Sequence, residues 1–248
     1  MFRKLARAIQ ERGLRGTAKE SLHRLSWLLR YSIDRRFDRL HHVETTGRIG
    51  LKSLSVAGKN RDFGVWYEPI SPVVLRHLLR QIDVGRYPQF VDYGSGKGRA
   101  LLIASEFPFR SIRGVEFSPE LHEVALRNIK SYSHPARICP DIESHLGDAA
   151  EFAPQEVPTL HFFYSPFRQS VMQAVCDNIS QSLSSNPRDS LIVFYGLHPD
   201  TIAVIDALGW PRKEIRVPRD YGASGRYRAL LYTFSPRAAM ARQAPLTD

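Results

Sequence analysis

Short apolar runs alternate with segments of helical spacing through the middle of the sequence. Four of these runs predict buried strands, over residues 90–92, 112–116, 160–164 and 190–195. Strands that alternate with helices are typical of α/β domains with a mainly parallel sheet. Two later runs, residues 213–217 and 227–234, flank a glycine-rich loop and predict an antiparallel pair. The pattern therefore predicts an α/β fold whose sheet ends in a C-terminal β-hairpin.

The first 40 residues follow a helical pattern instead. Their apolar positions recur at three- and four-residue steps, at Leu22, Leu25, Leu29, Ile33, Phe37 and Leu40. Thr17 and Glu20 form a capping box ahead of this stripe. At 248 residues, one domain with an extension is the expected organisation. We predict a basic helical extension with a linker over residues 1–60, a main domain over 61–236 and a disordered tail over 237–248.

Positive charge is concentrated in this N-terminal segment. Residues 1–40 hold 11 lysines and arginines and four acids, or +7 of the formal net charge of +10. The segment has three open interpretations. Its apolar stripe packs against the main domain, it lies on an anionic membrane surface with Trp27 and Phe37 as anchors, or it guides a polyanion such as RNA. Glu11 and Glu20 argue against an organelle transit peptide.

Cysteine content and run length indicate the cellular setting. Cys139 and Cys176 lack a paired metal-ligand spacing, so we expect neither a disulfide framework nor a metal site. The apolar runs are too short to cross a bilayer, and the first residues carry charges where a secretory signal would be apolar. These features favour a cytoplasmic location.

The segment after the first predicted strand carries the strongest indication of function. It reads Asp92-Tyr93-Gly94-Ser95-Gly96-Lys97-Gly98, with a predicted helix from Arg99. Glycine adopts positive φ and has no Cβ, so such a turn lets the backbone approach a flat polar ligand. The following helix N-terminus offers unpaired N–H groups to ligand oxygens. A dinucleotide fingerprint needs its third glycine where this chain has Arg99, so the spacing disfavours that class of site.

Further polar residues stand where later predicted strands end. Glu116 ends the second strand, where a carboxylate can accept hydrogen bonds from both ribose hydroxyls of a nucleoside lying across the first turn. Asp148 follows in the run Leu146-Gly147-Asp148-Ala149. Tyr164 ends the fourth strand, ahead of Ser165-Pro166-Phe167.

In this order the motifs resemble those of the class I S-adenosylmethionine-dependent methyltransferases, over about residues 65–235. The resemblance implies a Rossmann-like, seven-stranded, mainly parallel sheet that closes with an antiparallel β-hairpin. It also implies that the protein transfers a methyl group from S-adenosylmethionine. The sequence leaves the acceptor open among protein, RNA and small molecules.

The same resemblance gives each motif a role. Asp92 would bind the methionine amino group, directly or through water, and Glu116 would bind the ribose. The Asp148 carboxylate would face the adenine amino group. Tyr67, in a Tyr-x-Pro segment, would fold over the methionine end of the cofactor. The predicted cofactor-binding residues are Tyr67, Asp92, Gly94, Ser95, Gly96, Gly98, Glu116, Asp148 and Ala149.

The acceptor side of the predicted site is less defined. Family members that methylate exocyclic or amide nitrogens often carry Asp/Asn-Pro-Pro-aromatic after strand 4, where this chain has Ser165-Pro166-Phe167. The sequence therefore does not support DNA adenine or glutamine methylation. Tyr164 and His198 stand at the ends of strands 4 and 5 and are the candidate catalytic residues. His198 could accept a proton near neutral pH, although a histidine at such a position is more often an ordinary loop residue.

Two functions from other classes remain open. One is a nucleotide-binding oxidoreductase on a related fold, against which Arg99 and the terminal hairpin argue. The other is a catalytically silent scaffold that keeps the fold and binds RNA or a partner protein through its basic extension. The acids Asp92, Glu116 and Asp148 favour retained cofactor binding.

Overall fold

A seven-stranded sheet forms the centre of the protein. The computed structural model describes residues 21, 25–50, 53–55, 66–164, 167–196, 199–218 and 228–236. The strands are β1 (Gln89–Tyr93), β2 (Ser111–Glu116), β3 (Ile142–Leu146), β4 (Thr159–Tyr164), β5 (Ser190–Tyr195), β6 (Arg212–Arg216) and β7 (Arg228–Phe234). The helices of the described ranges are α1 (25–41), α2 (Pro72–Arg80), α3 (Arg99–Ala104), α4 (Pro119–Ser131), α5 (Gln169–Ser185) and α6 (Pro199–Asp206). A short 3-10 turn, Val84–Arg86, precedes β1.

The strand order across the sheet is β3-β2-β1-β4-β5-β7-β6. Strands β1 to β5 run parallel, and β7 is antiparallel to both of its neighbours. The predicted α/β sheet with a C-terminal antiparallel hairpin is therefore confirmed. The order reverses between β1 and β4, and ligands of doubly wound sheets bind at such a switch point, outside the carboxyl ends of the strands.

Both faces of the sheet are covered, so the residues of its central strands are buried on both sides instead of alternating between buried and exposed. Phe90 and Phe162 face the core cluster that includes residues of α2 and α3. Tyr93 and Phe163 face the opposite cluster, which includes residues of α5. The Tyr93 ring stacks on Phe163 with 4.7 Å between centroids, so it is a core aromatic. This packing fixes the positions of the strand ends that carry the predicted site.

Helix α1 packs against the main domain through a partly charged face. Arg30, Asp34 and Phe37 are buried on it. The Arg30 Nη2 group donates a hydrogen bond to the Pro69 carbonyl oxygen at 2.6 Å. The Phe37 ring lies 6.3 Å from the Tyr132 ring, centroid to centroid. The described part of the extension is thus an additional layer on the domain.

The predicted apolar stripe of this helix is buried at Phe37 but wrong at three of its leucines. Three of its leucines are 45–59% exposed: Leu25, Leu29 and Leu40. Arg30 and Asp34, which the stripe leaves outside, are buried instead. The reason is electrostatic, because Arg99 of the main domain is buried and takes its carboxylate partner from α1.

Other expectations about the extension and the tail stay predictions. Residues 1–20 and 237–248 lie outside the described residues. Trp27, considered above as a membrane anchor, packs against Arg48, whose Cζ lies 4.1 Å from the indole ring centroid. Within the ranges given above, no helix is long and apolar enough to cross a membrane. Attraction of residues 1–40 to a polyanion or an anionic surface remains to be measured.

Candidate functional site

Three glycines give the turn between β1 and α3 its shape. Gly94, Gly96 and Gly98 have φ angles of 81°, 55° and 83°. These values lie in the left-handed region, which residues with a Cβ adopt only at an energetic cost. Gly98 is the N-cap residue of α3. The run of alternating glycines therefore has a backbone reason, independent of any ligand.

Hydrogen bonds tie this turn to the end of β2. The amide nitrogens of Gly94 and Ser95 both donate to the Val115 carbonyl oxygen, at 2.9 and 3.0 Å. The Gly96 amide donates to Glu116 Oε2 at 2.7 Å. The two predicted strand-end motifs thus form one hydrogen-bonded unit.

Glu116 is a buried acid with several donors. Its Oε1 accepts a hydrogen bond from the Ser118 amide at 2.9 Å. Burial raises the pKa of Glu116 to about 7, while the amides of Ser118, Gly96 and Phe117 act in the opposite direction. The carboxylate that was predicted to bind ribose therefore also holds the glycine turn in place.

Asp92 is a second buried acid, and its surroundings differ from those of Glu116. The residue is 4% exposed, and its carboxylate accepts no hydrogen bond from any residue that the structure describes. Burial, and then the neighbouring Glu116 carboxylate, raise the pKa of Asp92 to about 8. Since Asp92 lines a cavity, a positively charged ligand group there would relieve this electrostatic penalty.

The main cavity lies at the switch point between β1 and β4. The space between its walls comes to about 650 Å³, part of which is open to solvent. Its walls are the glycine turn, the end of β2, the segment before α2 and the end of β4. The lining residues are Leu54, Trp66, Tyr67, Glu68, Pro69, Ile70, Asp92, Gly94, Ser95, Gly96, Arg99, Ala100, Glu116, Phe117, Leu121, Phe162, Tyr164 and Phe167.

A smaller cavity of about 310 Å³ adjoins the main one and holds the third motif. Asp148 and Ala149 line it, together with Gly94, Val115, Phe117, Gly147, Phe167 and Val171. Asp148 Oδ1 accepts a hydrogen bond from the Ala150 amide at 2.9 Å, which fixes the carboxylate near the cavity. Gly94, Phe117 and Phe167 line both cavities, so the structure brings the three predicted motifs around one continuous region.

Tyr67 covers the glycine turn. A Cβ on Gly96 would overlap the Tyr67 ring, so the absence of a side chain at Gly96 makes room for this ring. The Tyr67 hydroxyl donates to the Thr45 carbonyl oxygen at 2.6 Å, and burial raises the pKa of the phenol above its usual value. The ring therefore lies over the glycine turn and is held from the extension side, while its contact with a cofactor stays a prediction.

The remaining predicted residues fall into two groups. Tyr164, the last residue of β4, lines the main cavity and stacks on Tyr195 with 5.4 Å between ring centroids. His198, and Ser165 with Pro166, lie outside the described residues. The Ser95 hydroxyl is buried and has no hydrogen-bond partner in the described structure, so a role for that hydroxyl stays a prediction.

Sequence reasoning missed the two phenylalanines that line both cavities. Phe117 directly follows the strand-end acid Glu116, and Phe167 belongs to the Ser-Pro-Phe run. Their positions next to predicted motifs were a usable signal, since flat rings beside such acids suit a planar ligand. In the described part of the chain, no cluster of three or more His, Cys, Asp and Glu side chains could hold a metal.

No protein-family model and no curated protein matches the sequence. Among solved structures, two crystal structures of the methyltransferase domain of bacterial CtHen1 are similar to this chain. The one named CtHen1-CN has a TM-score of 0.50 and 12% identity, covering 67% of this chain and 100% of that one. The one named CtHen1-C has a TM-score of 0.50 and 13% identity, covering 66% of this chain and 98% of that one. The protein therefore has the fold of the class I S-adenosylmethionine-dependent methyltransferases.

Proposed function

We propose that the protein is an S-adenosylmethionine-dependent methyltransferase whose acceptor is a protein, an RNA or a small molecule. The observation that carries this proposal is Asp92, a buried carboxyl group at the edge of a cavity that accepts no hydrogen bond from the described residues. A cation beside this group would favour its ionised form, and the ammonium group of the cofactor's methionine end would supply one. Gly94, Gly96 and Gly98 leave room beside it for the methionine backbone.

The nucleoside part of the cofactor fits the residues around the two cavities. Glu116 has lone pairs left after its amide contacts and would accept hydrogen bonds from ribose hydroxyls. Asp148 would accept one from the adenine amino group. Phe117 and Phe167 would pack against the planar base, since both line the smaller cavity as well as the larger one.

The residues of this chain would act mainly by positioning. When bound, S-adenosylmethionine supplies a methyl group activated by its sulfonium. Holding an acceptor in line with that group can lower the barrier by up to roughly 7–11 kcal/mol. Tyr164 stands where β4 opens into the main cavity, so its ring or hydroxyl would orient the acceptor. His198 remains a candidate for proton removal.

Two titrations and one turnover assay test this function. Calorimetry with S-adenosylhomocysteine, the demethylated form of the cofactor, should show binding, and NAD should show none. The reverse result would favour the oxidoreductase. Methyl-labelled S-adenosylmethionine should then label the protein, RNA or small-molecule fraction of a cell extract, and label in the lipid fraction would contradict the proposed range of acceptors. Binding without label transfer to any fraction would favour the catalytically silent scaffold.

A further inference from the structure

Arg99 links the glycine turn to the N-terminal extension. It begins α3 immediately after the turn, and its side chain is 1% exposed. Its Nε donates to Thr45 Oγ1 at 2.6 Å, and its Nη1 donates to the Asp34 carboxylate. Its Nη2 lies 3.4 Å from Asp38 Oδ1. A buried guanidinium is therefore neutralised and hydrogen-bonded almost entirely by the extension.

The partners of Arg99 are themselves fixed. Residues 43–46, which we call the strap, follow α1 and turn back on it. Asp38 Oδ2 accepts hydrogen bonds from the Thr45 and Thr46 amides, at 2.8 and 2.7 Å. The strap is thus anchored to the same α1 carboxylate that faces Arg99.

A second anchor joins the strap to the turn through α4. Asn128 Nδ2 donates to the Glu44 carbonyl oxygen at 3.0 Å and to the Lys97 carbonyl oxygen at 2.9 Å. Lys97 Nζ forms an ion pair with Glu44 Oε1 at 2.6 Å. One asparagine side chain and one lysine therefore connect the strap to a residue inside the glycine turn.

Tyr67 makes a third connection. Its hydroxyl donates to the Thr45 carbonyl oxygen of the strap, and its ring covers Gly96. The strap consequently sets how closely the ring approaches the turn that borders the main cavity.

We propose that α1 and the strap are positioning elements for the cofactor turn, acting through Arg99, Lys97 and Tyr67. The inference rests on the proposed function, since it assigns the extension a part in binding the same cofactor. It predicts that loosening the extension weakens cofactor binding in a protein that remains folded. The network offers a defined point for this test, because Asp34 contacts Arg99 and lies outside the cavity lining.

The test compares two isosteric substitutions at the two ends of α3 in the full chain. Asp34→Asn removes one of the two carboxylate charges beside Arg99, a charge that Asp34 also presents to Arg30. Glu106→Gln is the matched control, because Glu106 accepts hydrogen bonds from Arg76 beyond the far end of α3. The Asp34 and Glu106 side chains are 8% and 6% exposed. Thr45→Val serves as a milder variant, since it removes the Arg99 Nε acceptor without leaving a buried charge unpaired.

Melting temperature and the dissociation constant of S-adenosylhomocysteine are measured for each, the latter at a temperature where all variants are folded. Both acid variants should melt earlier than the wild type. Asp34→Asn should weaken binding by about two- to thirtyfold and Thr45→Val by less, whereas Glu106→Gln should leave binding unchanged. A purely structural role would lower melting temperatures and leave affinity unchanged, which overturns the inference. Absence of binding by the wild-type protein would instead overturn the proposed function, and the inference with it.

Discussion

Binding of S-adenosylhomocysteine should strengthen as the pH rises from about 6 to about 7. The change in pH acts on Asp92, which is buried and accepts no hydrogen bond from the described residues. Its carboxylate must be ionised to bind the ammonium group of the ligand. A protein whose Asp92 is mostly protonated therefore has to release a proton when the ligand binds.

The magnitude follows from the pKa of this group. Burial, and then the Glu116 carboxylate, raise the pKa of Asp92 from 3.8 to about 8. A group with that pKa is ionised in about 1 molecule in 100 at pH 6 and about 1 in 11 at pH 7. If only the ionised form binds, the apparent dissociation constant should fall about tenfold over this interval.

Titration calorimetry at several pH values measures this slope, and repeating it in buffers of different ionisation enthalpy counts the protons released. Asp92→Asn should bind more weakly and lose most of the slope. A matched ligand is 5′-methylthioadenosine, which keeps the adenine and ribose but has no amino group. Its remaining pH dependence reports on Glu116, whose pKa burial raises to about 7.

Two results would refute the reasoning. One is equal affinity for S-adenosylhomocysteine at both pH values. The other is an Asp92→Asn protein that keeps the full slope, which would mean that another group releases the proton. If the affinity for 5′-methylthioadenosine depends on pH as steeply as that for S-adenosylhomocysteine, the pH dependence comes from Glu116 and not from Asp92.

Three more predictions concern the turn, the buried acid and the extension. Gly96→Val should abolish S-adenosylhomocysteine binding and lower the melting temperature, because the new side chain would overlap the Tyr67 ring and residue 96 has a positive φ. The control Gly85→Ala should change neither quantity, because a Cβ added there meets only an ordinary van der Waals contact. Asp92→Asn should raise the melting temperature of the ligand-free protein near pH 8. A carboxyl group whose pKa is higher in the folded than in the unfolded protein stabilises the fold while it is protonated, and this stabilisation is lost as pH rises from about 4 to about 8. Leu28→Ser changes a side chain that is 64% exposed, so the melting temperature should stay unchanged. If less of this variant than of the wild type sediments together with anionic vesicles, that result would support attraction of the extension to a membrane.

The strands that are buried on both faces of the sheet were predictable from the sequence. Strand β4 was predicted over 160–164 and spans Thr159–Tyr164, because a strand covered on both faces is an apolar run in sequence. Strand β3 lies at the sheet edge, and only its first residue, Ile142, is buried. It therefore has no apolar run, and only the Gly147-Asp148 turn after it indicated its place.

The extension was less predictable, because a periodicity rule ranks residues by hydrophobicity alone. It assigns Arg30 and Asp34 to the solvent side of α1, whereas the structure buries both. The orientation of α1 is decided by Arg99, a partner distant in sequence. In the sequence, Arg99 stood out only because it occupies the position where a dinucleotide fingerprint has its third glycine. Long-range ion pairs leave no periodic trace, so this contact required the three-dimensional structure.

A comparison of three buried acids carries the argument that Asp92 serves a ligand. Glu106 accepts hydrogen bonds from Arg76 and Tyr132, and these bonds lower its pKa despite burial. Glu116 accepts backbone hydrogen bonds that partly offset burial. Asp92 has neither kind of partner among the described residues, and its pKa is the highest of the three. Buried polar groups in folded proteins are almost always satisfied, so an acid left without a donor beside a cavity is expected where a bound ligand provides the missing cation.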